Sequence, residues 1–277
     1  MNRTAAIVIA ILLLAIGGAV YLWQERTVTP PAIAPSPAPA EPAAPPPKTA
    51  EPAIKHPIEA ADLPPADAKL APLQQSDPVI RGELIDWLGR ATVQTFLQLD
   101  DFAHHSVATV DNLTRARAPV RLWPVNPTPG RFTVVQSGDA LVMAPGNAER
   151  YAPFVAFVES IDTRRAISHY VRWYPWFQSS YEELGYPGRY FNDRVVETID
   201  HLLATPEPKT PIALKLTEVR GPVPSAQPWV RYEFVDPELE ALSSGQKILI
   251  RMGPDHARRL KAKLREVRAT LVRTPPR

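Results

Sequence analysis

The densest run of large apolar side chains lies between Arg164 and Thr205, and it constrains the fold more than any other feature. Its first half repeats apolar and aromatic residues at the three- and four-residue spacing of one helix face. A Gly-Tyr-Pro-Gly break at 185–188 precedes a second apolar row. The two rows are Ile167, Tyr170, Val171, Tyr174, Phe177, Tyr181 and Leu184, then Phe191, Val195, Ile199, Leu202 and Leu203. The sequence therefore predicts a hairpin of two amphipathic helices within the core.

The prolines are unevenly distributed, and they limit how much of the chain can fold. There are 33 among 277 residues, and the stretch from Thr27 to about Leu73 is rich in proline and alanine. Proline fixes φ, lacks an N–H and restricts its preceding neighbour, so neither helix nor sheet can propagate there. We expect residues 27–75 to be a disordered, semi-rigid linker. Its reach is ~150 Å at the ~3.1 Å rise per residue of polyproline II.

An apolar run precedes this linker. Ala5 to Trp23 contains 19 apolar or small residues, and Arg3 lies just before it. At about 1.5 Å per residue such a helix is long enough to cross a bilayer, and the position of Arg3 favours a cytoplasmic N-terminus. A cleaved signal peptide is the alternative. However, the apolar run is longer than the usual apolar region of a signal peptide, and no A-x-A cleavage site lies before its aromatic end. We expect residues 1–26 to anchor a single-pass protein in the bacterial inner membrane, with its C-terminal domain in the periplasm.

The remaining residues, 76–273, carry the signals of one globular domain. Apolar spacing predicts further helices that begin near Pro78, Ala91, Phe102, Asn147, Pro237 and His256. Alternating apolar and polar residues predict two short strand pairs, at 132–136 with 140–144 and at 212–219 with 229–235. Pro175 is expected to kink or divide the first helix of the hairpin. The predicted fold class is α+β, mostly helical, as a single domain with a small antiparallel sheet.

Composition and motifs exclude several classes of function. The chain has no cysteine, so disulfides, thiol catalysis and thiolate zinc sites are excluded. A formal net charge of +2 does not indicate a nucleic-acid partner. The sequence contains no G-x-S-x-G, Walker loop or G-x-G-x-x-G. No catalytic residue, nucleotide or cofactor is therefore predicted.

One row of acidic and histidine residues has the residue types of a metal site. Asp193, Glu197 and His201 share one face of the second hairpin helix, and His104 and His105 are further donors. A metal site needs three or four converging donors, and neither H-E-x-x-H nor paired E-x-x-H motifs occur. A solvated, ion-paired face is the interpretation we adopt, and no metal site is predicted.

The aromatic and acidic residues around the hairpin turn are the candidate binding surface. Aromatic rings can stack on sugars, and a carboxylate beside aromatics at a helix end is a setting in which the pKa of a general acid is raised. The alternative is that the aromatics are core and the glutamates are ordinary surface residues. The candidates are Trp123, Trp173, Trp176, Glu182, Glu183, Tyr186, Tyr190 and Asp193.

Three stretches together carry a family resemblance. They are RLWPVNPTPGRF, ELGYPGRYFNDRVVETIDHLLATP, and SGQKILIRMGP followed by AKLREVR. With its apolar N-terminus and Pro/Ala linker, the chain resembles the proteobacterial family named domain of unknown function 3014, from about Ser76 to Val272. The resemblance implies a membrane-anchored protein and supplies no catalytic residues.

The functional hypothesis is a non-enzymatic binding or scaffold module for peptidoglycan or another envelope protein. Two alternatives stay open. One is a carbohydrate-active, peptidoglycan-cleaving enzyme that uses Glu182 or Glu183. The other is a structural assembly factor whose aromatic helix is recognised by its partners.

Overall fold

The computed structural model describes residues 53–58, 70–217 and 232–272. The helices in these ranges are α1 (Ser76–Leu88), α2 (Arg90–Phe96), α3 (Phe102–Leu113), α4 (Gly146–Ser160), α5 (Thr163–Glu183), α6 (Phe191–Leu203), α7 (Pro237–Glu240), α8 (Ser244–Arg251) and α9 (Pro254–Leu271). The predicted anchor at Ala5–Trp23 lies outside the described residues, as does most of the linker. Of the helices described, none combines the length and apolarity needed to cross a membrane.

Four short strands form one antiparallel sheet in the order β1-β2-β3-β4. They are β1 (Val134–Ser137), β2 (Ala140–Met143), β3 (Ala213–Leu216) and β4 (Tyr232–Phe234). The two predicted strand pairs are joined because Leu141 of β2 pairs with Leu214 of β3. The prediction of a mostly helical α+β fold with a small antiparallel sheet is confirmed.

The core is built around α5. This helix packs against α3, α6 and α9, and α9 also covers α4. Tyr170, Trp173 and Phe177 on α5 are among the most deeply buried large side chains, and Phe102 from α3 meets Trp173 with their ring planes nearly perpendicular. Burial of each such ring stabilises the fold by about 1.5–3 kcal/mol. A smaller apolar cluster under the sheet includes Leu214, Phe234 and Ile250.

The first hairpin helix is continuous through its internal proline. The α5 helix runs without interruption from Thr163 to Glu183, although Pro175 lies inside it. A helical proline removes one hydrogen bond and costs about 3 kcal/mol. Pro175 is exposed, whereas Tyr174 and Trp176 on either side are buried, so aromatic burial offsets that cost. The predicted division at Pro175 is therefore absent.

Two other local predictions differ from the structure. The single helical run predicted from Pro237 is two helices, because Ser243 starts α8 with a capping box to Gln246. Asp77 directly before Pro78 is a sequence pattern that predicts an N-cap for α1. Its carboxylate instead accepts the main-chain N–H groups of Asp101 and Phe102, at 2.6 and 3.0 Å. Asp77 thus provides a hydrogen-bond acceptor for the N–H groups at the start of α3. At the start of α1, a 3₁₀ turn (Leu73–Gln75) leads the chain directly into the helix.

Candidate peptide-binding site

The start of α6 places two polar side chains where an apolar row begins. Asn192 precedes Val195 by three residues and Ile199 by seven, so it shares their inward-facing side. Its side chain is fully buried, with 0% exposed. Asp193 follows in the first helical turn and is only partly exposed. The chain reaches this point by a tight turn that needs positive φ at Gly185 and Gly188.

Residues 53–58, from the stretch predicted to be a linker, lie on these side chains. The carboxylate of Asp193 accepts the main-chain N–H of Lys55 at 3.0 and 3.2 Å and that of His56 at 2.7 Å. The side-chain amide of Asn192 donates to the main-chain oxygen of His56 at 2.9 Å. Two successive N–H groups on one carboxylate require a bent backbone, which the segment has at Lys55 and His56.

The segment is also held at its last residue. The Tyr190 hydroxyl accepts the main-chain N–H of Ile58 at 2.7 Å, and the side chain of Ile58 packs against the apolar core. Pro57 lies between the two anchored points and has no N–H to satisfy. The chain therefore presents one carboxylate, one amide and one phenol to a peptide main chain, and one apolar surface to a peptide side chain.

Buried tyrosines hold Asn192 in place. The Tyr170 hydroxyl donates to Asn192 Oδ1 at 2.9 Å, and the main-chain N–H of Asn192 donates to the Tyr174 hydroxyl at 3.2 Å. Burial raises the pKa of Tyr170 well above its ordinary value, and the nearby Tyr190 and Asp193 add to this. Burial likewise raises the pKa of Tyr174. Both hydroxyls therefore keep their protons, and Asn192 stays oriented with its N–H₂ towards the segment.

The turn before the site is fixed by Gln178 of α5. Its Nε2 donates to the main-chain oxygen of Arg189 at 2.8 Å, and its Oε1 accepts the main-chain N–H of Phe191 at 2.9 Å. These bonds join the last turns of α5 to the first residues of α6. The positions of Tyr190, Asn192 and Asp193 are thus set by the helical core.

A buried ionic cluster lies on the other side of this turn. Asp111, whose side chain is 5% exposed, pairs with Arg115 at 2.5 Å and with Arg194 at 3.1 Å. The Tyr186 hydroxyl donates to the same carboxylate at 3.2 and 3.3 Å. Because Asp111 belongs to α3 and Arg194 to α6, the cluster ties both helices to the turn.

Comparison with known proteins places the chain in a family. The family described as a protein of unknown function (DUF3014) matches residues 102–268. The chain belongs to the DUF3014 family. No curated protein and no solved structure matches it. The matched region of this DUF3014 protein contains Tyr190, Asn192 and Asp193, whereas residues 53–58 precede it.

Three of the predicted surface residues are core residues in the DUF3014 protein. Trp123, Trp173 and Trp176 are all buried, so they cannot form an exposed binding surface. Trp173 is enclosed because α3 covers one side of α5, and Trp176 donates its Nε1 hydrogen to the main-chain oxygen of Ala71 at 2.8 Å. Of the two alternatives for the aromatic helix, burial is the one observed.

The other predicted residues separate into two groups. Tyr190 and Asp193 contact residues 53–58, and Tyr186 belongs to the Asp111 cluster, where its ring stacks on Tyr181. Glu182 and Glu183 are exposed. Sequence reasoning missed Asn192, although a lone polar residue in an apolar helical row was a signal that could have identified it.

The metal candidates do not converge. Glu197 pairs with Arg194 at 3.1 Å, while His201 Nε2 lies 2.8 Å from the Ser243 hydroxyl. Asp193 faces the segment described above. Within the described ranges, no group of three or more His, Asp or Glu side chains is placed to hold a metal ion.

We expect replacement of both Glu182 and Glu183 by glutamine to leave the protein folded and its properties little changed. Glu183 is 54% exposed and its partner is His104, at 2.9 Å, while Glu182 accepts from Gln178. Exposed contacts of this kind contribute about 0–1 kcal/mol. Thermal unfolding measures the stability, and release of muropeptides from sacculi measures activity. Wild-type cleavage that disappears in a stably folded double variant would contradict this expectation and revive the enzyme alternative.

Proposed function

We propose that this DUF3014 protein is a non-enzymatic binding module of the cell envelope whose partner is another protein. The supporting observation is the set of main-chain hydrogen bonds made by Tyr190, Asn192 and Asp193. A carboxylate that accepts two successive N–H groups, beside an amide that donates to a carbonyl, is complementary to a peptide backbone.

Burial of the tryptophans favours a protein partner over peptidoglycan glycan strands. Sugar recognition relies on exposed aromatic faces, and Trp123, Trp173 and Trp176 offer none. The ring of Tyr186 is already stacked on Tyr181, with centroids 4.6 Å apart. A carbohydrate-active enzyme is less well supported, because Glu182 and Glu183 lack the apolar enclosure that such a general acid needs.

The proposed location is the bacterial inner membrane, with the folded domain in the periplasm. Its support is the apolar run from Ala5 to Trp23, the preceding Arg3 and the Pro/Ala-rich stretch that follows. A topology reporter fused after Arg277 should be active on the periplasmic side. Activity confined to the cytoplasm would contradict the proposed location.

Site-specific photo-crosslinking in intact cells tests the proposed partner. A crosslinking amino acid at Arg189, an exposed residue beside Tyr190, should form an adduct with an envelope protein. Asp193→Ala should abolish the adduct, because it removes the acceptor of two peptide N–H groups. The matched control is Asp200→Ala, an exposed acid on the same helix that pairs with Arg268, and it should preserve the adduct.

Two results would contradict the proposal. One is the absence of an Asp193-dependent adduct with any other protein. The other is saturable co-sedimentation of the protein with purified cell-wall sacculi that persists in high salt. The latter would favour peptidoglycan as the partner, because salt-resistant binding is not the general attraction of exposed charges.

A further inference from the structure

The contacts of residues 53–58 define what a peptide must offer to bind this site. The residues at positions 55 and 56 must have free main-chain N–H groups for Asp193, and the residue at 58 must have one for Tyr190. The residue at position 57 needs none, so proline is tolerated there and restricts the backbone in advance. Position 58 also needs a large apolar side chain, since Ile58 packs on the core. The side chains of Ala53, Ile54 and Lys55 are exposed and add little selectivity.

The linker sequence contains this pattern once. From Thr27 to Lys69 there are thirteen prolines, and Pro57 alone is followed by a large apolar residue. The others precede alanine, serine, lysine or another proline. Composition therefore makes the rest of this stretch a poor ligand, and it fixes which part of the linker docks.

The docked segment has the properties of a displaceable ligand. Its contacts with Asp193 are exposed or only partly buried, and Ile54 beside them is 54% exposed. Eleven residues separate Ile58 from Leu70. Such a short connection keeps the segment at an effective concentration on the order of millimolar, which suffices to occupy a weak site. Residues 53–58 also lie before the region that matches the family, residues 102–268, whereas the site lies within that region.

We propose that residues 53–58 are an intramolecular ligand that closes the site until a partner displaces them. The partner's ligand is a short linear peptide with two free N–H groups at a bend, followed by proline and a large apolar residue. This inference deepens the proposed function and rests on it only for the identity of the partner. Binding in trans thus requires release of the chain's own segment.

A fluorescent peptide of residues 51–60, EPAIKHPIEA, tests the proposal with the full chain in detergent micelles. Three proteins are compared by anisotropy titration: wild type, Lys55→Pro/His56→Pro, and that double variant with Asp193→Ala added. The prolines remove the two N–H donors of the intramolecular segment. They lie outside every described helix and strand, so the protein should stay folded, and its thermal unfolding midpoint should fall only by the amount that loss of the docked segment accounts for.

The double variant should bind the peptide at least tenfold more tightly than wild type, because its own segment no longer competes. Addition of Asp193→Ala should remove the binding, and a peptide with Ile58→Ala should bind the double variant at least tenfold more weakly. Equal binding to wild type and the double variant, or no binding to either at millimolar peptide, would overturn the proposal. Dimerisation that depends on Asp193 and resists the peptide would overturn it too, since the occupant would then come from a second copy.

The peptide titration and the cell experiment fail independently. Peptide exchange without an Asp193-dependent crosslink in cells would overturn the proposed function and leave the intramolecular ligand standing. A crosslink without peptide exchange would overturn the intramolecular ligand and leave the proposed function standing.

Discussion

Acidification from pH 6.5 to 5 is expected to lower the free energy of unfolding by about 2 kcal/mol through His169 alone, because each pH unit contributes about 1.4 kcal/mol. This histidine of α5 is buried, stacks on Trp87 at 5.1 Å between centroids, and lies 5.3 Å from Trp173. Burial, with the charges of Arg165 and Arg172, lowers its pKa to about 2.

The sign follows from which state takes up the proton. Above pH 6.5 the imidazole is neutral in both states. As the pH falls below that value, the unfolded chain binds a proton that the folded chain does not, so stability is lost down to the folded pKa near 2. Glu83 Oε2 lies 3.3 Å from His169 Nδ1 but without hydrogen-bond geometry, and that carboxylate pairs with Arg172 at 3.0 Å. Burial raises the pKa of Glu83, which acts in the opposite direction at the acidic end of the range.

Urea unfolding at a series of pH values measures this effect. His169→Phe keeps a ring against Trp87 and Trp173 and removes the titrating group, so its stability should fall less steeply with acid. His104→Gln is the matched control. Burial opposes protonation of His104, but its hydrogen bonds to Glu183 and Asp101 outweigh this and raise its pKa, so its removal should steepen the fall. Identical slopes for wild type and His169→Phe would contradict the account.

Replacement of Asp111 by alanine is expected to lower the free energy of unfolding by about 3–5 kcal/mol, because it removes the buried carboxylate from Arg194 and leaves only Glu197, which is 68% exposed, as a counter-charge. The Arg194 side chain is 15% exposed and donates to Asp111 Oδ1 at 3.1 Å. Its Nη2 also bonds the main-chain oxygen of Asp111 at 2.9 Å and the hydroxyl of Thr114 at 2.5 Å. The guanidinium of Arg194 therefore cannot become fully solvated without disrupting the packing of α6 on α3.

The control for this variant is an ion pair of similar length at the surface. Asp100 lies 2.8 Å from Arg81, and their side chains are 91% and 47% exposed. Asp100→Ala should change stability by only about 0–1 kcal/mol. Chemical denaturation of both variants gives the comparison. Equal shifts of the two midpoints would show that burial of Asp111 does not set its contribution.

Local apolar spacing predicted most of the fold. The hairpin of α5 and α6 follows from the apolar rows that include Tyr170, Phe177, Val195 and Ile199. Their three- and four-residue spacing places the side chains of each row on one face of a helix. The same information could not decide whether Trp173 is buried. A helix with aromatics on several faces can expose one face to a partner or bury both faces within the domain. The position of α3, which covers Trp173, decides between these two arrangements.

The candidate site was predicted only in part, because its contacts join distant parts of the chain. Tyr190 and Asp193 were identified as polar and aromatic residues near the turn, but their occupant lies more than 130 residues away. Proline-rich composition predicts a linker and does not indicate where part of that linker docks. Residues 53–58 carry one hint, the large apolar Ile58 after Pro57. The buried tyrosines that orient Asn192 could not be assigned without the packing of α5 on α6.

Amide hydrogen exchange over residues 53–58 of the full-length protein tests the central claim most directly. If Tyr190, Asn192 and Asp193 hold this main chain, the amides of Lys55, His56 and Ile58 should exchange more slowly than in an unstructured peptide of the same sequence. Asp193→Ala should speed the exchange of Lys55 and His56, and Asp200→Ala should leave it unchanged. Exchange at the unstructured rate in the wild-type protein would contradict the claim.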